Sequence, residues 1–206
     1  MASLNDWTNA TQPHTDAPTL EFVTLPDLSD PSSSALSVHY GLALIKGKRF
    51  EWALQKMTEL GVTHITPLIT ERSEVKLSGV RLDKKMTQRR NELIAALKQS
   101  HRVYLPHLSP PQSLSDWLAE ITKTCQQRWI LCPHSTAKLD PLTTLREPHT
   151  PLAIASGPEG GFSPHEIDSA QALGFTPLRL GPRVLRAETA PLVALTLAQS
   201  HAEAWC

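Results

Sequence analysis

The chain has 206 residues, 40% of them apolar and 19% charged, with a formal net charge of zero. That size and balance read as soluble and globular, with one or two domains and a sizeable core. No apolar run approaches the ~18 residues of a membrane span, no basic residue precedes Lys46 to open a signal peptide, and the three cysteines form no CxxC pair, so a cytoplasmic protein without disulfides is expected.

Residues 1 to about 35 are rich in Asn, Thr, Asp, Ser and Pro and read as a flexible tail. Within it, Leu20 to Leu25 reads as a short strand and Asp30-Pro31-Ser32-Ser33-Ser34 as a linker. The main domain then opens with a predicted strand, Leu36 to Ile45, and a turn, Lys46-Gly47-Lys48. Arg49 to Leu60 has the period of an amphipathic helix, with Phe50, Ala53, Leu54, Met57 and Leu60 on one face, and Gly61 ends it. Val62 to Ile69 reads as a second strand whose ladder Pro67 weakens. Arg81 to Ser100 reads as a long helix with Leu82, Met86, Leu93 and Leu97 inward and Lys84, Lys85, Arg89 and Arg90 outward. Val103 to Leu105 is a predicted short strand.

Ser113 and Asp116 resemble a capping box, opening a helix that turns Leu114, Trp117, Leu118 and Ile121 inward. Trp129 to Cys132 reads as a strand, and His134 to Thr150 as a loop with at most a helical turn near Leu142 to Leu145. Leu152 to Ala155 is a short apolar run typical of a buried strand. It enters a glycine turn, Gly157-Pro158-Glu159-Gly160-Gly161. A fully punctuated helix start follows, with Ser163 as cap, Pro164 at the first position and Glu166 completing a capping box, and Gly174 stops that helix. A further strand, Thr176 to Leu180, enters a second loop, Gly181 to Arg186, and a closing helix is predicted from Glu188 to about Ala204. The alternation of strands and helices predicts an α/β fold with a largely parallel sheet and flanking helices. Two irregular loops then lie side by side at the end of the sheet where such folds bind ligands.

The zero net charge hides an asymmetry. From Lys46 to Arg102 there are thirteen basic against six acidic residues. A basic stretch inside a neutral protein attracts phosphate, although a solvated helical face explains the count equally well. The glycine turn is neither a P-loop nor a dinucleotide fingerprint, since no Gly-Lys-Ser/Thr or GxGxxG is present. Its glycines still imply a close backbone approach, to a ligand or to the turn itself. Glu159 inside it either orients a ligand or holds the loop by accepting backbone N–H groups. Arg183 and Arg186, followed by Glu188 and Thr189, suit phosphate or a polarised carbonyl. Arg186 and Glu188 read equally well as a surface ion pair. The nine histidines contain no HExxH motif, and no metal site is expected.

These residues resemble the RsmE family, the 16S ribosomal RNA uracil-N3 methyltransferases of the SPOUT superfamily. The resemblance rests on GPEGGFSPHEI, on LGPRVLRAETA, on KGKRFEWALQKMTELGVTHITPLITERSEVK, and on Gln99, Ser100, Arg102 and Pro106. It covers about residues 36 to 206, and it implies a SPOUT-type sheet with a C-terminal trefoil knot, homodimers, and a role in rRNA processing and ribosome biogenesis. It implies S-adenosylmethionine (SAM) as cofactor. The expected cofactor loops are Gly157, Pro158, Glu159, Gly160 and Gly161, then Leu180, Gly181, Pro182, Val184, Leu185 and Arg186, with Leu131 and Pro133 lining the same pocket. Arg186 is the expected stabiliser of the uracil anion, and Glu188 orients it or takes the proton. Lys46, Lys48, Arg49, Arg72 and Arg102 are the expected RNA ligands. Two departures from the family stand out. Lys98 replaces an acidic residue, and only about 35 residues stand where members carry a PUA-like barrel, so the segment reads as a tail or a remnant of it. The alternatives are a SPOUT enzyme acting on another RNA, and a non-catalytic RNA-binding protein.

Overall fold

The computed structural model describes residues 36–74, 80–136 and 150–202. The predicted tail at 1–35 with its short strand and linker, the helical turn near 142–145 and the last residues of the closing helix lie outside them.

Among the described residues seven strands form one sheet: β1 (Val38–Ala43), β2 (His64–Ile69), β3 (His107–Leu108), β4 (Gln112–Ser113), β5 (Gln127–Leu131), β6 (Leu152–Ser156) and β7 (Thr176–Leu178). Their order is β3-β2-β1-β6-β5-β7, with β4 also paired to β2. All six ladders among the described residues are parallel. The C-terminal ends of β1, β2, β5, β6 and β7 therefore open at one edge.

Among the described residues five helices cover the faces: α1 (Arg49–Glu59), α2 (Val80–Gln99), α3 (Leu114–Ile121), α4 (Pro164–Ala172) and α5 (Ala190–His201). Strand alternation divides the core. Leu152 and Ile154 of β6 point to the face shared by Phe50, Leu54 and Met57 of α1, Leu93 of α2 and Leu195 of α5. Ala153 and Ala155 point to the other face, against Trp117, Leu118 and Ile121 of α3 and Ala170 of α4. The small residues of β6 let the α3 layer come close, and Gly41 on neighbouring β1 does the same. A Cβ there would lie 2.7 Å from Leu68 Cδ1 and 3.0 Å from the Trp117 ring.

Three predictions are corrected. Arg89, expected to face water, is only 3% exposed. Its guanidinium lies over the Phe50 ring at 4.1 Å, so the long side chain closes the α1–α2 contact as an apolar stem with a stacked cation. Burial pulls its pKa down, and the Glu51 carboxylate opposes the shift. Residues 103–105 are not a strand; pairing begins at His107, whose N–H donates to Thr63 O at 2.9 Å. The Arg102 guanidinium pins the preceding segment to the end of α1 by donating to Thr58 O (2.7 Å) and Val62 O (3.1 Å). The closing helix starts at Ala190 rather than Glu188, because the Thr189 and Ala190 N–H groups both turn back to Arg186 O.

At the opposite edge of the sheet, His39 faces His64 and His64 faces His107 across two parallel ladders. The first pair stacks at 4.0 Å and 6°, and the second is tilted at 5.7 Å. Burial, then the charges of His64 and His107, hold the His39 pKa down at about 4. Burial and His107 lower that of His64 as well. Neutral imidazoles are thus favoured by the fold, while the unfolded chain takes up protons near the ordinary value of 6.5. Their contribution is complete above that pH and is lost as pH falls toward 4. Urea midpoints measured from pH 7 to pH 4.5 should decline, and less steeply in His39→Gln. Equal slopes would remove the histidines from the account.

Candidate functional site: two loops at the strand C-termini

The site begins where β6 runs into the glycine turn. A Cβ on Gly157 would lie 3.0 Å from Phe162 N and 3.1 Å from Gly161 C, so the turn folds onto itself and leaves no room for a side chain. Gly161 N–H donates to Pro158 O at 2.8 Å. The helix start forms as read. Glu166 N–H donates to Ser163 Oγ, Ser163 N–H donates to Glu166 Oε2 at 2.8 Å, and Pro164 stands in the first turn. The second carboxylate oxygen of Glu166 accepts from Glu71 N–H at 2.9 Å, which ties α4 to the loop after β2.

Neighbouring loops grip the turn from outside. Glu159 Oε1 accepts from Lys46 N–H at 3.2 Å and pairs with Arg49 at 3.3 Å. Of the two roles open to Glu159, this geometry is that of a loop holder. The Arg72 guanidinium donates to Gly160 O at 2.8 Å and Phe162 O at 3.3 Å.

The second loop follows β7 and faces the segment after β5. Cys132 N–H donates to Leu178 O (2.8 Å) and Ser135 Oγ donates to Pro177 O (2.8 Å), which fixes the two walls. Between them lies a shallow open cleft lined by Leu131, Cys132, Pro133, Leu178, Arg179, Leu180, Arg183, Leu185 and Ala190. Its walls are mainly apolar, suited to a flat ring, with arginines at the rim. Arg186 is 81% exposed, and its guanidinium is 3.8 Å from Glu188 Oε1. Glu188 is 8% exposed, and its Oε2 is buried without a hydrogen-bond partner.

Of the residues expected to bind a cofactor, Leu131, Pro133, Leu180 and Leu185 line this cleft. Gly181, Pro182, Val184 and Arg186 lie in the same loop but not on its wall, and Val184 is 74% exposed. Gly157 to Gly161 form the neighbouring turn. Leu178, Arg179 and Ala190 were not anticipated; the two-residue alternation of Thr176 to Leu180, which puts Leu178 on the side of Leu180, was the available signal for the first. Of the expected RNA ligands, Lys46, Lys48 and Arg72 lie in the loops after β1 and β2 and Arg49 opens α1 beside them; Lys46 pairs with Glu74. Arg102 does not join them, since it is turned into the C-terminal end of α1.

The family model of the RNA methyltransferase domain matches residues 32–199. The chain belongs to that family. This RNA methyltransferase domain is 32% identical over 181 residues to the ribosomal RNA small subunit methyltransferase E of Buchnera aphidicola (from Schizaphis graminum), covering 88% of this chain and 72% of that one. A methyltransferase of Legionella pneumophila, solved with the cofactor SAM, superposes with a TM-score of 0.76 at 41% identity, over 82% of this chain and 67% of that one. A ribosomal RNA small subunit methyltransferase E of Neisseria gonorrhoeae, bound to SAM, gives 0.74 at 32% identity, with the same coverage of 82% and 67%. The chain spans 55–72% of the length of the first curated relatives it matches. Among the described residues no helix is long and apolar enough to cross a membrane.

Proposed function

We propose that the chain transfers a methyl group from SAM to N3 of a uridine in the 16S ribosomal RNA of the small subunit. One observation carries this reading: an apolar cleft and a self-folded glycine turn both lie at the C-terminal edge of a parallel sheet, in a chain that superposes on two SAM-bound methyltransferases. The residues fit the cofactor. Leu131, Leu180 and Leu185 offer faces to an adenine ring beside Ala190, and Glu188, two residues before that wall residue, keeps a buried carboxylate oxygen without a hydrogen-bond partner. When bound, SAM supplies an electrophilic methyl group on a sulfonium.

The chain's own residues have two tasks. They align the acceptor nitrogen for in-line attack, and they manage its proton, because neutral uracil N3–H is a poor nucleophile. The exposed Arg186 guanidinium stabilises the negative charge that spreads onto O2 and O4 as the proton leaves. Glu188, held 3.8 Å from that guanidinium, orients it and is the nearest carboxylate in sequence able to accept the proton. The target base leaves its stack to reach the cleft, while Lys46, Lys48, Arg49 and Arg72 meet backbone phosphates. A C-terminal trefoil knot around the loops after β6 and β7 belongs to this reading. So does a homodimer that covers the half-buried Leu192, Val193 and Leu197 of α5.

Calorimetric titration with SAM tests the reading. Saturable binding near one site per chain, absent with ATP, is expected, from a preparation that sediments as a dimer. Binding of ATP in place of SAM would turn the cleft into a general nucleotide site.

A further inference from the structure

The glycine turn has little of its own to hold it. Gly157, Gly160 and Gly161 carry no side chain, and three glycines in five residues give the free segment a wide choice of conformations. Its internal restraint is the single backbone bond from Gly161 to Pro158. What fixes it comes from elsewhere in the chain: Arg72 from the loop after β2, and Lys46 from the loop after β1 with Arg49 at the start of α1, acting through Glu159. Arg72 spans the turn's far end, with one nitrogen bridging the carbonyls of Gly160 and Phe162. A Cβ on Gly160 would already touch the Arg72 stem at 3.4 Å, so stem and turn are in packing contact as well.

We infer that Arg72 is a positioning residue for the cofactor: from outside the cleft, it latches the 157–161 turn into the conformation that receives SAM. The inference rests on the cofactor reading above. It also gives Arg72 a task that RNA binding alone would not. A ligand that needs one conformation binds more weakly in proportion to the fraction of molecules that lack it. Arg72→Ala frees two carbonyls and the turn, and a latched fraction reduced to about a tenth raises the dissociation constant about 10-fold. Lysine keeps the charge but not the planar fork, so Arg72→Lys should fall between the two.

The test is SAM titration without RNA, together with hydrogen exchange at Gly161 and Phe162 in the cofactor-free proteins. Wild type should bind, Arg72→Ala about 10-fold more weakly, and Arg72→Lys in between, with faster exchange at both amides in the alanine variant. An unchanged dissociation constant in the variants, whatever their melting temperatures, would overturn the latch and leave Arg72 as scaffold or RNA contact. If wild type itself fails to bind SAM, the cofactor reading falls, and the exchange data still decide whether Arg72 orders the turn: equal rates in wild type and variants overturn it. Should the alanine variant not fold, the lysine variant carries both measurements.

Discussion

Arg186→Ala should slow methyl transfer to a competent ribosomal RNA substrate by about 100- to 1,000-fold, the usual loss when one positioned donor to a developing anion is removed. The side chain is 81% exposed, and among the described residues its ion-pair partner is Glu188, so the fold loses little. The effect therefore belongs to chemistry. Single-turnover rates at saturating SAM, with circular dichroism as the fold control, separate the two. Arg186→Lys keeps the positive charge but cannot lay two donors along the uracil edge, and it should recover only part of the rate. Near wild-type turnover by the alanine variant, on RNA that wild type methylates, would take Arg186 out of the mechanism. The charge on O2 and O4 would then need another donor, and Arg183 at the rim of the cleft is the candidate.

Glu166→Ala should cost about 3 kcal/mol of folding stability, since a hydrogen bond to a charged group contributes ~1.5–3 kcal/mol and two are lost. One carboxylate oxygen accepts from Ser163 N–H and the other from Glu71 N–H, while the residue itself is 7% exposed. For a chain of this size that is a fall of roughly 6–12 °C in melting temperature. Glu166→Gln retains one good acceptor and should lose about half as much. Urea denaturation of the three proteins measures the difference. A loss below ~1 kcal/mol for alanine would mean that water reaches both amides and that the loop after β2 is held by other contacts.

Glu166 also marks how far the sequence can be read. Its capping role follows from local spacing, because a serine three residues before a glutamate, with a proline between, has few other uses. Its second bond, to a residue 95 positions earlier, has no local signature. The same boundary runs through the arginines. Counting charges marked Arg49, Arg72 and Arg102 as phosphate ligands; it did not show that each guanidinium also holds a partner within the chain: a carboxylate, two turn carbonyls, and the end of a helix. Charge counting registers the cation and not its partner. Arg89 fails in another way, since a helical wheel assigns water to every charged residue, whereas the Phe50 ring provides a surface on which this one is buried. The apolar face of α3 and the buried run of β6 were legible because periodicity encodes them directly. The position of β6 between β1 and β5 was not, because strand order is set by crossovers.

That strand order also dictates when the molecule can fold. β1 is made early, but the neighbour that completes its inner edge is β6; the contact joining their loops, Lys46 to Glu159, closes 113 residues. Until then β1, paired to β2 on one side, keeps an apolar, unpaired edge on the other. Long-range parallel pairing is slow, since the entropy of closing the loop is lost before any contact repays it. On the ribosome, the first half of this chain therefore waits, open-edged, for the second. The nascent protein is most exposed to aggregation in the interval before Leu152 to Ser156 emerges.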